Sequence, residues 1–154
     1  MKKVKLIIVF ISCFILLTGC TNNNNKTFTF SYNNKEYYLG EVFTKEKYGE
    51  PLKYSEVSSC AFNGIDKTYT YSHYEVTTYP VDGQDKVYVI YFLDDEISTT
   101  EGVKISDTID DMISKYGKNY KKEGNLYSYQ LEKTILKFII ENNYITSIEY
   151  NHEL

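Results

Sequence analysis

Two stretches of this chain carry the same succession of residues in the same order, which restricts the fold to one built from two like units. Tyr48-Gly49 recurs as Tyr116-Gly117, and Tyr69-Thr70-Tyr71 recurs as Tyr127-Ser128-Tyr129. Val76-Thr77-Thr78-Tyr79 recurs as Ile135-Leu136-Lys137-Phe138, and Val87, Ile90 and Phe92 recur as Ile145, Ile148 and Tyr150. The offsets are 68, 58, 59 and 58 residues, so the order is kept and the loop after the first match changes length.

The second unit has the clearer pattern. Asp107 or Thr108 can cap a helix, and Thr108 and Asp111 stand at capping-box spacing. Ile109, Met112, Ile113 and Tyr116 fall on one apolar stripe, and Gly117 suits a left-handed stop. Three strands are predicted to follow, at about 125–132, 134–141 and 144–150, with Asn142-Asn143 as a tight turn. The first unit predicts a weakly patterned helix near 41–48 and strands near 67–73, 75–80 and 86–93, with Asp82-Gly83 turning the last pair. Ahead of both, Thr27 to Tyr32 alternates, Asn33-Asn34 turns, and Glu36 to Leu39 returns as the second arm of a hairpin. Asp94 to Gly102 is a polar connector between the units. The expected class is α+β: two tandem helix-plus-antiparallel-meander repeats, about 38–93 and 103–150, forming one continuous sheet with helices on one face.

The phrase Gly102-Val103-Lys104-Ile105-Ser106-Asp107, leading into a helix that ends Tyr116-Gly117, is similar to repeats of the β-lactamase inhibitor protein-like fold. The BamE-like lipoproteins share a related, smaller version. The stretch from Ser59 to Tyr71 also resembles a set of uncharacterised lipoproteins of Gram-positive bacteria. The resemblance covers about residues 38–150 and implies a binding scaffold. It does not imply lactamase inhibition, because no inhibitory loop can be matched. Where the pattern usually has a second Gly before the helix, this chain has Ser106.

The first twenty residues bear on location. Lys2, Lys3 and Lys5 precede an apolar run from Leu6 to Leu17, and Leu17-Thr18-Gly19-Cys20 closes it. That run is short for a membrane span and resembles a bacterial lipoprotein signal with its lipobox. The resemblance implies cleavage of residues 1–19 and a diacylglycerol on the Cys20 sulfur. It also implies a place in the cell membrane, on the extracytoplasmic face of a Gram-positive envelope. Residues 20–27, with four consecutive Asn, read as a flexible tether, leaving 28–154 as a single domain.

Loss of three signal Lys and no acid takes the formal charge from −4 to −7. Such an acidic body offers no electrostatic footprint for nucleic acid and leaves the membrane link to the lipid. All seventeen basic residues are Lys, and the seventeen Tyr fit sheet faces and a β-rich core. Cys60 stands alone once Cys13 leaves with the signal and Cys20 is acylated, and it reads as a small buried hydrophobe.

Chemistry is weakly represented. His73 and His152 are isolated in sequence, so with one free Cys they supply no closed zinc site, and no cofactor signature is present. Asp94-Asp95-Glu96 and Asp107, Asp110 and Asp111 are acidic clusters, better explained by a turn and by the first turn of a helix. Asp82-Gly83-Gln84-Asp85 is a turn without calcium-loop spacing. The strand near 86–93 is apolar on both sides, with Val89 and Tyr91 alternating with Ile90 and Phe92. Either a covering element or a partner accounts for that. The expectation is a non-enzymatic module recognising a protein or envelope ligand, its binding face centred on Val89 and Tyr91 with Tyr69 and Tyr71 beside them. The competing classes are a hydrolase or metal-dependent enzyme using Asp94, Asp95 or Asp107, and a purely structural envelope component.

Overall fold

A computed structural model describes residues 27–59 and 63–153. The signal segment, Cys20 and Cys60 therefore lie outside the described residues. The elements in chain order are β1 (Thr29–Tyr32), β2 (Lys35–Tyr38), α1 (Lys45–Tyr48), β3 (Lys53–Ser58), β4 (Ile65–Thr70), β5 (Tyr74–Val81) and β6 (Gln84–Phe92). They continue with α2 (Ile109–Tyr116), β7 (Lys121–Glu123), β8 (Leu126–Leu131), β9 (Thr134–Glu141) and β10 (Tyr144–His152).

The α+β expectation is overturned, because strands account for 52% of the structure and helices for 10%. One eight-stranded antiparallel sheet runs β3-β4-β5-β6-β10-β9-β8-β7, and β1-β2 forms a separate two-stranded sheet. Helices do not make a layer over it. α1 is a single turn because Val42 and Phe43, poor helix formers, are drawn into extended pairing with β6, where the Phe43 N–H donates to the Asp85 carbonyl at 2.8 Å. α2 has the expected capping box of Thr108 and Asp111, and the expected C-terminal Gly117. The hairpin β1-β2 supplies much of the cover: Phe30 packs on Tyr74, Phe92 and Tyr150 of the large sheet.

Each half of the sheet is a four-stranded meander, one strand more than the sequence pattern indicated. β3 and β7 escaped it because neither carries an apolar alternation, and every residue in both is exposed. The halves meet where β6 pairs with β10 through Tyr91–Glu149, Ile90–Tyr150 and Val89–Asn151. Both central strands bulge at the matching place, Tyr88 in β6 and Thr146 in β10.

The register also corrects one repeat match. Tyr69 lies opposite Val76, and Val76 opposite Ile90; Tyr127 lies opposite Phe138, and Phe138 opposite Ile148. Val76 is therefore the counterpart of Phe138, not of Ile135. The matches of Tyr69 with Tyr127 and of Ile90 with Ile148 agree with the ladder.

Every core residue that the large sheet contributes lies on one face. Tyr69, Tyr74, Val76, Val87, Ile90, Phe92, Tyr127, Leu136, Phe138, Ile145, Ile148 and Tyr150 are all buried there. This is the inner face. The segment 28–32, which contains β1, crosses it with alternate side chains: Phe28 meets Tyr116 of the second unit, Phe30 sits at the centre, and Tyr32 meets Tyr74 of the first unit.

Candidate functional site

The opposite, outer face contributes nothing to the core, and its middle is where β6 and β10 pair. One row of side chains crosses all eight strands there: Lys53, Thr70, Glu75, Tyr91, Glu149, Lys137, Ser128 and Lys121. Tyr91 stands between two carboxylates, each already engaged. Glu75 accepts from the Thr70 hydroxyl at 2.7 Å. Glu149 accepts from Lys137 Nζ at 3.1 Å and from Asn151 Nδ2 at 2.5 Å. The neighbouring row sets Val89 between Thr77 and Asn151, with the Thr68 and Thr77 hydroxyls 3.2 Å apart. The patch is thus a half-buried aromatic and aliphatic centre rimmed by hydrogen-bonded polar groups, the composition that recognition surfaces favour.

The four residues expected to share a binding face do not share one. Val89 and Tyr91 are half-buried on the outer face. Tyr69 and Tyr71 are buried on the inner face, where Tyr69 stacks on Phe43 with ring centroids 4.0 Å apart and Tyr71 stacks on Tyr74 at 4.9 Å. Strand alternation separates Tyr69 from Val89, a parity that a residue-by-residue reading of two distant strands does not reveal.

Tyr71 belongs to a second feature that the sequence did not disclose. Tyr32, Tyr37, Tyr48, Tyr71 and Tyr74, with Lys35 and Glu50, line a cleft of about 240 Å³ where the β1-β2 turn, the end of α1 and the β4-β5 turn converge. The rings come from three separate stretches of the chain, so no local motif marks them. Burial raises the Tyr48 hydroxyl far above its usual range, and its bond to Glu41 Oε1 at 2.7 Å adds to this. Burial likewise raises Tyr74, helped by Tyr37. These hydroxyls stay protonated and act as neutral hydrogen-bonding groups.

The acidic clusters serve local structure. Asp94 Oδ2 lies 2.8 Å from His73 Nδ1, and its Oδ1 accepts the Glu96 N–H, which together hold its carboxyl below the ordinary range. His73 thus has a partner that spacing alone concealed, delivered by the Tyr74–Phe92 register. Asp107 accepts the Lys104 N–H, and Asp111 caps α2. Among the described residues, no three His, Cys, Asp or Glu side chains are grouped to hold a metal ion. Asp85 of the Asp82–Asp85 turn pairs with Lys67 at 2.8 Å. His152, at the end of β10, lies against Gly40 and stacks on Tyr79 at 6.5 Å.

No family model, curated protein or solved structure matches this chain. The likeness to β-lactamase inhibitor protein-like repeats therefore rests on the quoted residues.

Proposed function

We propose that this chain is a non-enzymatic recognition module of the cell envelope, held at the extracytoplasmic face of the membrane by lipid on Cys20. It engages a protein partner through the outer face around Tyr91 and Val89. The observation that carries the reading is the division of β6: Ile90 and Phe92 belong to the core, while Val89 and Tyr91, equally apolar, face away from every core residue. Aromatic side chains at the centre of a polar-rimmed patch bury large area at small entropic cost, which suits binding. The lipobox supports the location.

The test is a photoreactive residue placed at Tyr91 in the full-length lipoprotein in its native cells. It should give one discrete cross-linked species that the same probe at Tyr69 does not give. No species at Tyr91, or the same species at both, would reject the outer face as the binding surface. The location is tested separately by the mass of the native N-terminus. A peptide beginning upstream of an unmodified Cys20, or Cys20→Ala leaving membrane association intact, rejects the anchor. A second reading, capture of a small envelope ligand, is favoured by the tyrosine-lined cleft of about 240 Å³. Tyr71→Phe and Tyr32→Ala would weaken such capture without altering cross-linking at Tyr91.

A further inference from the structure

The two edges of the large sheet are counterparts in the duplicated fold, yet they are built differently. The β7 edge is three residues long and reads Lys-Lys-Glu, the short charged form that discourages strand addition. The β3 edge is twice as long, and its hairpin runs three pairs further, through Glu56–Lys67, Val57–Asp66 and Ser58–Ile65. Along it Leu52 is 76% exposed, Val57 60% and Tyr54 46%. Ser59 donates its N–H to the Gly64 carbonyl at 3.0 Å. From there the antiparallel alternation turns Val57, Ser55 and Lys53 toward β4 and leaves the main-chain groups of Tyr54, Glu56 and Ser58 facing outward.

We propose that β3 is a self-association edge, at which a second copy of this chain adds its own β3 antiparallel about a two-fold axis through Ser55. The outward groups fix which residues can bond. Two registers satisfy them while pairing the strand along its length. One centres on Glu56 and sets it against the partner's Glu56, a like-charge contact that destabilises a strand pair. The other centres on Ser55: Tyr54 exchanges main-chain hydrogen bonds with the partner's Glu56, and Lys53 stands opposite the partner's Val57. Here no like charges meet. The Tyr54 hydroxyl, which already bonds the Glu56 carboxylate of its own strand, faces the same group on the partner. The axis is normal to the sheet, so both inner faces, and both β1 strands that begin the described chain, lie on the same side. That arrangement is compatible with two anchors in one membrane, and the pairing itself does not depend on the anchoring.

The test maps the register with single cysteines in the full-length protein under oxidising conditions, against the parent chain with its own cysteines. Ser55 would face its symmetry mate as a non-hydrogen-bonded pair, with Cα atoms about 4.5 Å apart, within disulfide range. Ser55→Cys should give a disulfide-linked dimer well above the parent. Lys53→Cys and Val57→Cys should each stay at the parent level alone and form the dimer when co-expressed. Glu56→Pro, whose lost N–H points outward and leaves the β4 ladder intact, should abolish the Ser55→Cys cross-link while leaving the urea midpoint nearly unchanged. Dimer no greater than the parent for Ser55→Cys overturns the proposal. Equal cross-linking at all three single positions overturns it too, as does a Ser55→Cys cross-link that survives Glu56→Pro.

Discussion

At the residue scale, the most informative pair is Gly40 and Ser106. Gly40 donates its N–H to the Val87 carbonyl and Ser106 donates to the Ile145 carbonyl; Val87 and Ile145 return the bond to Glu41 and Asp107. The two positions are counterparts, and both have left-handed φ, +80° at Gly40 and +76° at Ser106. Only one has the residue that this conformation favours. A side chain in that region costs roughly 1–2 kcal/mol, partly offset by the freedom that glycine gives the unfolded chain. Ser106→Gly should therefore stabilise by about 0.5–1 kcal/mol and raise the melting temperature by about 2–4 °C. Gly40→Ala should destabilise by more than about 1 kcal/mol, since its Cβ would also fall 2.8 Å from His152 Nε2. Thermal unfolding of the two variants checks both signs. Urea unfolding of another pair checks which face of the sheet is core. Tyr91→Ala should cost about 0.5 kcal/mol or less, and Tyr69→Ala about 3 kcal/mol or more.

At the element scale, the sequence was legible where one face is buried and the other wet. β5, β8, β9 and β10 carry that alternation, and the tight turns at Asn33-Asn34, Asp82-Gly83 and Asn142-Asn143 all take positive φ. It was illegible in three physical circumstances. β3 and β7 are sheet edges exposed on both sides, so burial imposes no period on their residues. The segment 41–43 looks like a weak helix start, but main-chain pairing with β6 outcompetes helix formation there. The match of Val76 to Ile135 was three residues out because the β5-β6 hairpin extends beyond its counterpart by Pro80–Asp85 and Val81–Gln84. Of the candidate site, the two-sided character of β6 was readable. The side to which Tyr69 belongs was not, and neither was the convergence of five tyrosines on one cleft.

At the scale of the whole molecule, the pH dependence of stability should have two limbs. His152 is depressed from its ordinary value of 6.5, first by burial and then by Lys133 and Lys86. The unfolded chain then binds its proton more readily, so stability is complete above about pH 6.5 and declines as pH falls through that value toward the lower folded one. Asp94 is depressed by its bond to His73, and Asp111 by the Thr108 hydroxyl. Their contribution is present above the ordinary carboxyl range, near 3.9, and is lost as pH falls below it. His152→Gln should flatten the upper limb and leave the lower one, as read from urea midpoints between pH 7.5 and pH 3.

The two halves of the sheet are hydrogen-bonded to each other through the β6–β10 ladder, and side chains of the β1 segment pack on both halves. Phe30, 1% exposed, is the centre of that bridge, packing on Phe92 from one half and Tyr150 from the other, at centroid distances of 5.1 and 6.2 Å. Removing its ring leaves a void at the junction rather than inside either unit. Phe30→Ala should cost about 3–5 kcal/mol, a large fraction of the roughly 5–15 kcal/mol that holds a domain folded. Because the void loosens both halves at once, unfolding should remain a single transition at lower temperature. Hydrogen exchange should rise together in β6 and β10, including at Ile90 and Ile148. If the halves instead melted in two separate steps, or if exchange rose in the first unit alone, β1 would be a cover for one meander and not the element that joins the pair.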